Sequence, residues 1–248
     1  MRVAVFSDIH GNAFALDVML ADLKKSPADV LVCLGDAIQG GPQPRETVQR
    51  LRELDCPVVM GNADEWLLTG KEDISGPEQI SPERLQKMKA VREWSLSKLS
   101  DAECAFIASF QPMLTIPLSD TKKLSCYHGT PASNEEILLP DTPYENFRNA
   151  LGGKADTLYC GGHTHVQFTR RVGATFHFNP GSVGLAYSHH QPDDAFHADA
   201  VAEYALLTVD GARTALEFRR VPYDAAEVME IYRTSGRPYA DEALAQYA

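Results

Sequence analysis

The sequence predicts an α/β protein in which two sheets pack face to face with helices outside. Three observations carry this. Strand–loop–helix units follow one another three times in the first 64 residues, the pattern of a parallel sheet. After residue 113 the apolar runs become short and closely spaced, with turn residues between them. Apolar residues are 44% of the 248 positions, enough for a sizeable core.

Residues 2–7 read as a buried strand. Residues 13–25 follow as an amphipathic helix, with Phe14, Leu16, Met19, Leu20 and Leu23 on helical spacing, Asn12 as its N-cap and Pro27 beyond its end. Asp29 to Leu34 is a second strand, and a Gly/Pro-rich loop at 40–44 leads into a helix ending near Leu54. Pro57 to Met60 reads as a third, short strand. Residues 65–110 hold two helical stretches, 82–98 and 101–110, the first opened by Ser81-Pro82. This block reads as a helical insertion or cap on an otherwise single domain spanning 1–248.

Strands resume at Met113–Leu118 and Lys123–His128, and a short helix covers 144–151. Asp156–Cys160, Gln167–Val172 and Thr175–Phe178 are closely spaced strands, the last two joined by a turn at Gly173. Glu203–Val209 and Arg213–Val221 form a hairpin around Asp210-Gly211, and the tail from Asp224 is helical. Residues 188–200 are polar and unpatterned, and read as a mobile loop.

The formal net charge of −11 disfavours a nucleic-acid backbone binder but not a small phosphorylated substrate, because a local metal charge overrules the global one. The five cysteines show no C-x-x-C spacing and read as buried free thiols of a reducing compartment. No apolar run approaches the ~18 residues of a spanning helix, and Arg2 enters a strand pattern directly, so the expected location is the cytoplasm, without signal peptide or membrane anchor.

The chemistry sits at strand ends. Val3 to Ser7 runs into Asp8-x-His10-Gly11-Asn12, where strand alternation would point Asp8 and His10 the same way. Leu34 is followed by Gly35-Asp36, Met60 by Gly61-Asn62, Tyr127 by His128-Gly129, and Cys160 by Gly161-Gly162-His163-Thr164-His165. Open α/β sheets place their sites outside the carboxyl ends of strands. Asp8, His10, Asp36, Asn62, His128, His163 and His165 are too many donors for one tetrahedral ion and suit two ions sharing a carboxylate, about 3.5–4 Å apart. Two divalent ions outweigh two aspartates and a hydroxide by one positive charge, which favours an anionic phosphate. The mixed His/Asp/Asn set suits Mn²⁺, Fe, Zn²⁺, Co²⁺ or Ni²⁺, with Mn²⁺ the favoured expectation. Each pair alone has a bland reading: a cap, a turn, a core histidine. Their joint order and strand-end placement is far harder to obtain by accident.

This ordered set, Asp8-x-His10-Gly11-Asn12, Gly35-Asp36, Gly61-Asn62-x-Asp64, His128-Gly129 and Gly162-His163-x-His165, resembles the calcineurin-like metallophosphoesterase superfamily over residues 1 to about 185. Within it, the small bacterial and archaeal phosphodiesterase branch, where Asn179-Pro180-Gly181-Ser182 also recurs, is the most similar. The resemblance implies a four-layer αββα sandwich of two mixed sheets. It implies Asp8, His10, Asp36 and His165 on one metal, and Asp36, Asn62, His128 and His163 on the other, with Asp36 bridging. It places the turn at Asn179 near the site. It implies hydrolysis of phosphate esters, chiefly phosphodiesters, by a metal-bridging hydroxide.

One position departs from the family. Many members carry histidine after Gly-Asn, and here that residue is Ala63, which can donate no proton. Leaving groups of low pKa, such as aryl phosphodiesters, are therefore expected. Of the histidines in the polar loop, His189, His190 and His197, solvation is the bland reading; supplying the missing acid is the sharper one. Arg45 reads as a helix-start surface charge, Trp66, Trp94 and Tyr127 as packing residues, and His177, alternating with Phe176 and Phe178, as a strand residue facing the other side. Rival readings are a phosphomonoesterase, a dinucleoside polyphosphate hydrolase, a nuclease, or a binding scaffold that keeps the fold without turnover. The segment 65–110 and the tail after 224 could serve a homo-oligomer or cover the sheets, and leave the oligomeric state open.

Overall fold

Strand β1 (Arg2–Phe6) is apolar on both faces, and the fold is assembled on those two faces. The computed structural model describes residues 1–71, 81–152, 157–188, 191 and 196–247. Val3 and Val5 face one way and Ala4 and Phe6 the other, as strand alternation requires. On the Ala4 side lie helix α1 (Ala13–Leu23), helix α2 (Pro44–Leu54) and helix α3 (Asn62–Thr69), through Leu16, Met19, Val48, Leu51 and Leu67. On the Val3 side lies a second sheet.

The first sheet has the order β11-β10-β1-β2, with β2 at Val30–Cys33, β10 at Val201–Asp210 and β11 at Arg213–Pro222. β1 runs parallel to β2 and antiparallel to β10. The second sheet has the order β3-β4-β5-β7-β6, from Leu114–Pro117, Lys123–Cys126, Thr157–Cys160, Thr175–Pro180 and Gln167–Val172. Its parallel pairs are β4·β5 and β5·β7. Leu124, Cys126, Cys160 and Phe178 meet Val5, Val32, Leu34 and Leu207 between the sheets. Helix α6 (Tyr144–Leu151) covers the far face of the second sheet through Phe147 and Leu151. The layers therefore run helix, sheet, sheet, helix, as expected. Burying the interlayer side chains contributes about 1.5–3 kcal/mol for each large one. No helix among the described residues is long and apolar enough to cross a membrane.

Three local expectations change. Pro57–Met60 makes isolated bridges, Cys33 with Val58 and Val59 with Gln111, rather than a strand. Pro57 has no N–H for a ladder, though its carbonyl accepts from Cys33 N at 3.1 Å. Residues 62–69 form α3, ahead of the two expected helices α4 (Pro82–Ser97) and α5 (Asp101–Ala108). The segment 188–200, expected to be a loop, contains β9 (Ala198–Asp199), which pairs with β8 (Ala186–Tyr187). The tail folds as α7 (Ala225–Ser235) and α8 (Ala240–Leu244). All cysteines are free: Cys33, Cys126 and Cys160 are buried, and Cys56 and Cys104 are half-buried.

His177 lies on the outer face of β7, stacked on Tyr127 at 6.1 Å and set between Phe147 and Phe168 at 5.2 and 5.3 Å. Both ring nitrogens are buried without a partner. Burial, and then the charge of Arg170, push its pKa down to about 3 from an ordinary 6.5. The unfolded chain takes up this proton below pH 6.5, whereas the folded chain does not until pH falls to about 3. Stability is thus lost as pH falls through that window, by about 1.4 kcal/mol per pH unit. In His177→Phe this slope is absent. The stability difference between variant and wild type is expected to grow by about 2 kcal/mol from pH 7 to pH 5 in urea unfolding. Parallel pH dependences would remove the argument.

Candidate metal centre

The strands stop short of the candidate donors. β1 ends at Phe6 and β5 at Cys160, and the donors lie in the loops beyond. Asp8, His10, Asp36, His163 and His165 all have left-handed backbone, with φ of 55°, 47°, 48°, 68° and 57°. Such residues cost about 1–2 kcal/mol each and cluster at functional sites. Strand alternation therefore does not aim Asp8 and His10; a pair of left-handed turns does. Those turns are laced to the loop after β2. Asp8 N donates to Gly35 O, His10 N to Asp36 O and Gly11 N to Ala37 O, each at 2.9 Å. His163 and His165, two positions apart, likewise join different groups of donors.

Two groups form. Asp8, His10 and His165 offer one set of donor atoms, and Asp36, His128 and His163 another, each set lying within 4.8 Å. His10 Nε2 lies 3.1 Å from His165 Nε2, which lies 3.2 Å from Asp8 Oδ1. His128 Nε2 lies 3.0 Å from Asn62 Oδ1 and 3.3 Å from Asp36 Oδ2. The same Asp36 Oδ2 lies 3.9 Å from His10 Nε2, so one carboxylate oxygen faces both groups. All of the sequence candidates are thus brought together.

The tautomers follow from the backbone. A carbonyl oxygen only accepts, so the ring nitrogen beside it carries the proton. Nδ1 of His10 donates to Gln39 O at 2.9 Å, Nδ1 of His128 to Leu34 O at 2.8 Å, and Nδ1 of His165 to Leu185 O at 2.6 Å. In the neutral rings every Nε2 then turns a lone pair inward. Those lone pairs meet one another, Asn62 Oδ1 and the carboxylates. Asp8 Oδ1 is buried with no hydrogen-bond partner. Acceptors converging on acceptors need protons or cations between them, and N–H groups fixed on carbonyls are the usual support for metal-binding histidine. The residues of the two groups are suited to hold divalent metal.

The electrostatics point the same way. Burial pushes the Asp36 carboxyl up, but His128, by charge and hydrogen bond, then His10 and His163, hold it well below the usual range. For Asp8, burial is likewise outweighed by His165. Burial lowers His128, yet Asp36 holds it up to about 9, while burial and the His128 charge push His163 down to about 4. Buried carboxylates here draw positive charge onto nearby imidazoles, and a metal ion competes for the same places.

Other residues set the loops. Asp64, quoted in the motif without a role, is buried, and its carboxylate accepts from Ala37 N at 3.0 Å and Ile38 N at 2.9 Å. It holds the turn that follows Asp36. Asp36 Oδ1 accepts from Ala63 N at 2.8 Å. Gly61 sits so close that a Cβ would overlap Asp36 Oδ1 and N. Asn179 donates from Nδ2 to Gly162 O at 2.7 Å and Thr164 Oγ1 at 3.1 Å, tying down the His163–His165 loop. Its turn has Gly181 at φ 80°, as a type II turn needs. Tyr187, unmarked in the sequence, tilts against His165 at 5.1 Å and meets Phe196 on β8's loop side at 5.0 Å. No local pattern announces such a contact; only the pairing of β8 with β9 makes it.

His10 and Asn62 open into a cleft of about 760 Å³. Ala63, Trp66, Leu85, Met88, Arg237 and Tyr239 are among the residues that line it. Arg45 is outside it, exposed and 3.9 Å from Glu103, beside Trp94 in a separate shallow cleft of about 460 Å³. His197 is exposed and is not among the cleft residues, and its backbone is clasped by the Gln191 side chain. His189 and His190 lie outside the described residues.

Comparison with known proteins agrees with this geometry. A model of the calcineurin-like phosphoesterase superfamily domain matches residues 1–211. The uncharacterized protein MJ0912 of Methanocaldococcus jannaschii is 28% identical over 246 residues, covering 92% of this chain and 90% of that one. Phosphodiesterase YfcE of Escherichia coli is 27% identical over 195 residues, covering 75% and 80%. A crystal structure of a metallophosphoesterase from Sphaerobacter thermophilus shares the fold, with a TM-score of 0.70 at 23% identity, covering 99% of this chain and 97% of that one. Because the family model takes in every donor of both groups and most of the chain, the chain belongs to the calcineurin-like phosphoesterase superfamily.

Proposed function

We propose that the chain is a dinuclear metal-dependent phosphodiesterase. The observation that carries this is Asp36 Oδ2, which lies between Nε2 of His10 and Nε2 of His128 at 3.9 and 3.3 Å. A carboxylate so placed is suited to bridge two ions. In this reading Asp8, His10, Asp36 and His165 hold one ion, and Asp36, Asn62, His128 and His163 the other, with Mn²⁺ favoured by the N/O donor mixture. Such ions, when bound, supply a low-pKa water and neutralise charge on phosphate oxygens. The protein's own part is orientation. Carbonyls of Leu34, Gln39 and Leu185 hold the imidazoles in the ligand tautomer before any metal arrives. Helices α3 and α4 serve, within one domain, as a cap: Trp66, Leu85 and Met88 offer an apolar wall for the ester's organic group. The YfcE likeness supports the diester preference, as does a cleft roomy enough for substituents on both sides of a phosphate.

Ala63 contributes a backbone N–H to Asp36 but no proton to a leaving group. Turnover of bis-p-nitrophenyl phosphate is therefore expected to exceed that of an unactivated dialkyl diester by at least about a hundredfold, as general acid assistance is worth about 10²–10⁴. Equal rates would sink this reasoning. The reading as a whole is tested by metal analysis of the purified protein together with a panel of aryl diesters, monoesters and dinucleoside polyphosphates in added Mn²⁺. Two metals per chain and diester turnover are expected. Tight folding with no metal and no turnover would leave a binding scaffold instead.

A further inference from the structure

Arg237 brings a cation into the cleft, and no carboxylate among the described residues lies at ion-pair distance from it. It follows α7 at Gly236, whose φ of 75° turns the chain back. Its Nε donates to Gly40 O at 2.6 Å, and Nη1 donates to Pro238 O at 2.9 Å and Tyr239 O at 3.3 Å. The guanidinium also lies 5.6 Å from the Tyr232 ring. Every acceptor is a neutral carbonyl, and among the described residues no carboxylate pairs with it. Lys87 on the same cleft is different: Glu83 and Glu242 neutralise it at 3.1 and 2.9 Å. Nη2 of Arg237 makes no hydrogen bond to the described residues.

This arrangement is expensive unless something completes it. A partly desolvated guanidinium stays charged, and carbonyls compensate it less well than an anion does. Burial pushes Arg237 below the ordinary arginine value, against the smaller opposing effects of Tyr232 and of the Glu242 charge across the cleft. The carbonyls instead fix the plane of the group, which suits recognition of a planar or tetrahedral oxyanion. Its anchor, Gly40, adjoins Gln39, whose carbonyl takes the Nδ1 proton of His10 at 2.9 Å. A Cβ on Gly40 would lie 3.7 Å from that Nδ1. Arg237 and His10 thus share one loop and line one cleft. Arg237 also falls outside residues 1–211, so the superfamily match says nothing of it.

We propose that Arg237 is a phosphate-anchoring residue, whose free guanidinium edge binds a non-bridging oxygen of the substrate phosphate beside the His10 group. The proposal rests on the phosphoesterase reading for its substrate, but its ligand chemistry can be probed with inorganic phosphate alone. Arg237→Ala, Arg237→Lys and wild type are compared, each loaded with Mn²⁺. Phosphate binding by calorimetry, phosphate inhibition, and kcat and KM for bis-p-nitrophenyl phosphate are measured alongside metal content and melting temperature. In Arg237→Ala, phosphate affinity is expected to fall about tenfold or more, the scale of one charge-assisted hydrogen bond. KM should rise with kcat falling less, metal content should hold, and Arg237→Lys should recover part of the phosphate affinity. Added guanidinium should restore phosphate binding to the alanine variant, which a merely structural role would not allow. Unchanged phosphate affinity in Arg237→Ala overturns the proposal. Should the alanine variant fail to fold, Arg237→Gln, which removes the charge but keeps a polar side chain of some length, takes its place, and unchanged phosphate affinity there overturns the proposal equally. If wild type hydrolyses no phosphoester yet binds phosphate through Arg237, the phosphoesterase reading fails and the anchor stands.

Discussion

Asp36→Asn is expected to lose both metals and at least about a thousandfold in kcat/KM, roughly 4 kcal/mol of transition-state stabilisation. The reason is local. The amide oxygen can keep the bond from Ala63 N that Asp36 Oδ1 accepts at 2.8 Å. The amide nitrogen then replaces Oδ2, which faces His10 and His128 at 3.9 and 3.3 Å. Two N–H groups there repel cations and remove the charge that both donor groups share. The fold should survive, so melting in chelator is expected to change by only a few degrees. Elemental analysis after Mn²⁺ loading gives the answer. Two metals per chain with full activity in the variant would overturn the ligand assignment.

The second large effect is expected at a residue that touches no donor atom. Asp64→Ala leaves Ala37 N and Ile38 N, now bonded at 3.0 and 2.9 Å, buried and unsatisfied. Each such group costs about 1–3 kcal/mol, so the variant should lose about 2–6 kcal/mol. At about 2–4 °C per kcal/mol for a chain of this size, melting falls by roughly 10 °C. Metal affinity should fall as well, because the turn carrying Asp36 loses its support. Asp64→Asn, which keeps one acceptor, should fall between alanine and wild type in both measurements. An alanine variant that melts with wild type and binds metal normally would show that Asp64 does not hold this turn.

Much of the molecule was legible in the chain. The unbroken apolar run Val3 to Phe6 marked a strand buried on both faces, because successive side chains of extended backbone point to opposite faces, a local property. Asn12 was recognisable as the N-cap of α1, and its side chain accepts from Ala15 N at 3.0 Å. The failures have one cause. Pro57–Met60 looked like a strand and α3 was missed because a bridge between Cys33 and Val58 depends on neighbours that lie elsewhere in the chain. β8 and β9 escaped because strands of two residues carry no period.

By itself, the sequence determined the donor inventory, the strand ends beside which it sits and the neutral Ala63. Residue types and their order are enough for that, since each donor is one side chain next to one apolar run. Tertiary structure alone decided how those donors are aimed. Five of the seven candidates, those with φ between 47° and 68°, take a conformation that L-residues avoid unless surrounding hydrogen bonds impose it. His10 and His165 are 155 positions apart, yet their Nε2 atoms lie 3.1 Å apart. That approach requires both sheets to be packed and their loops laced together. The same packing sends His163 and His165 to different groups and carries Arg237 from the end of α7 to the loop of His10. No local pattern encodes these meetings, because the interactions that create them act between segments that are neighbours only in the folded chain.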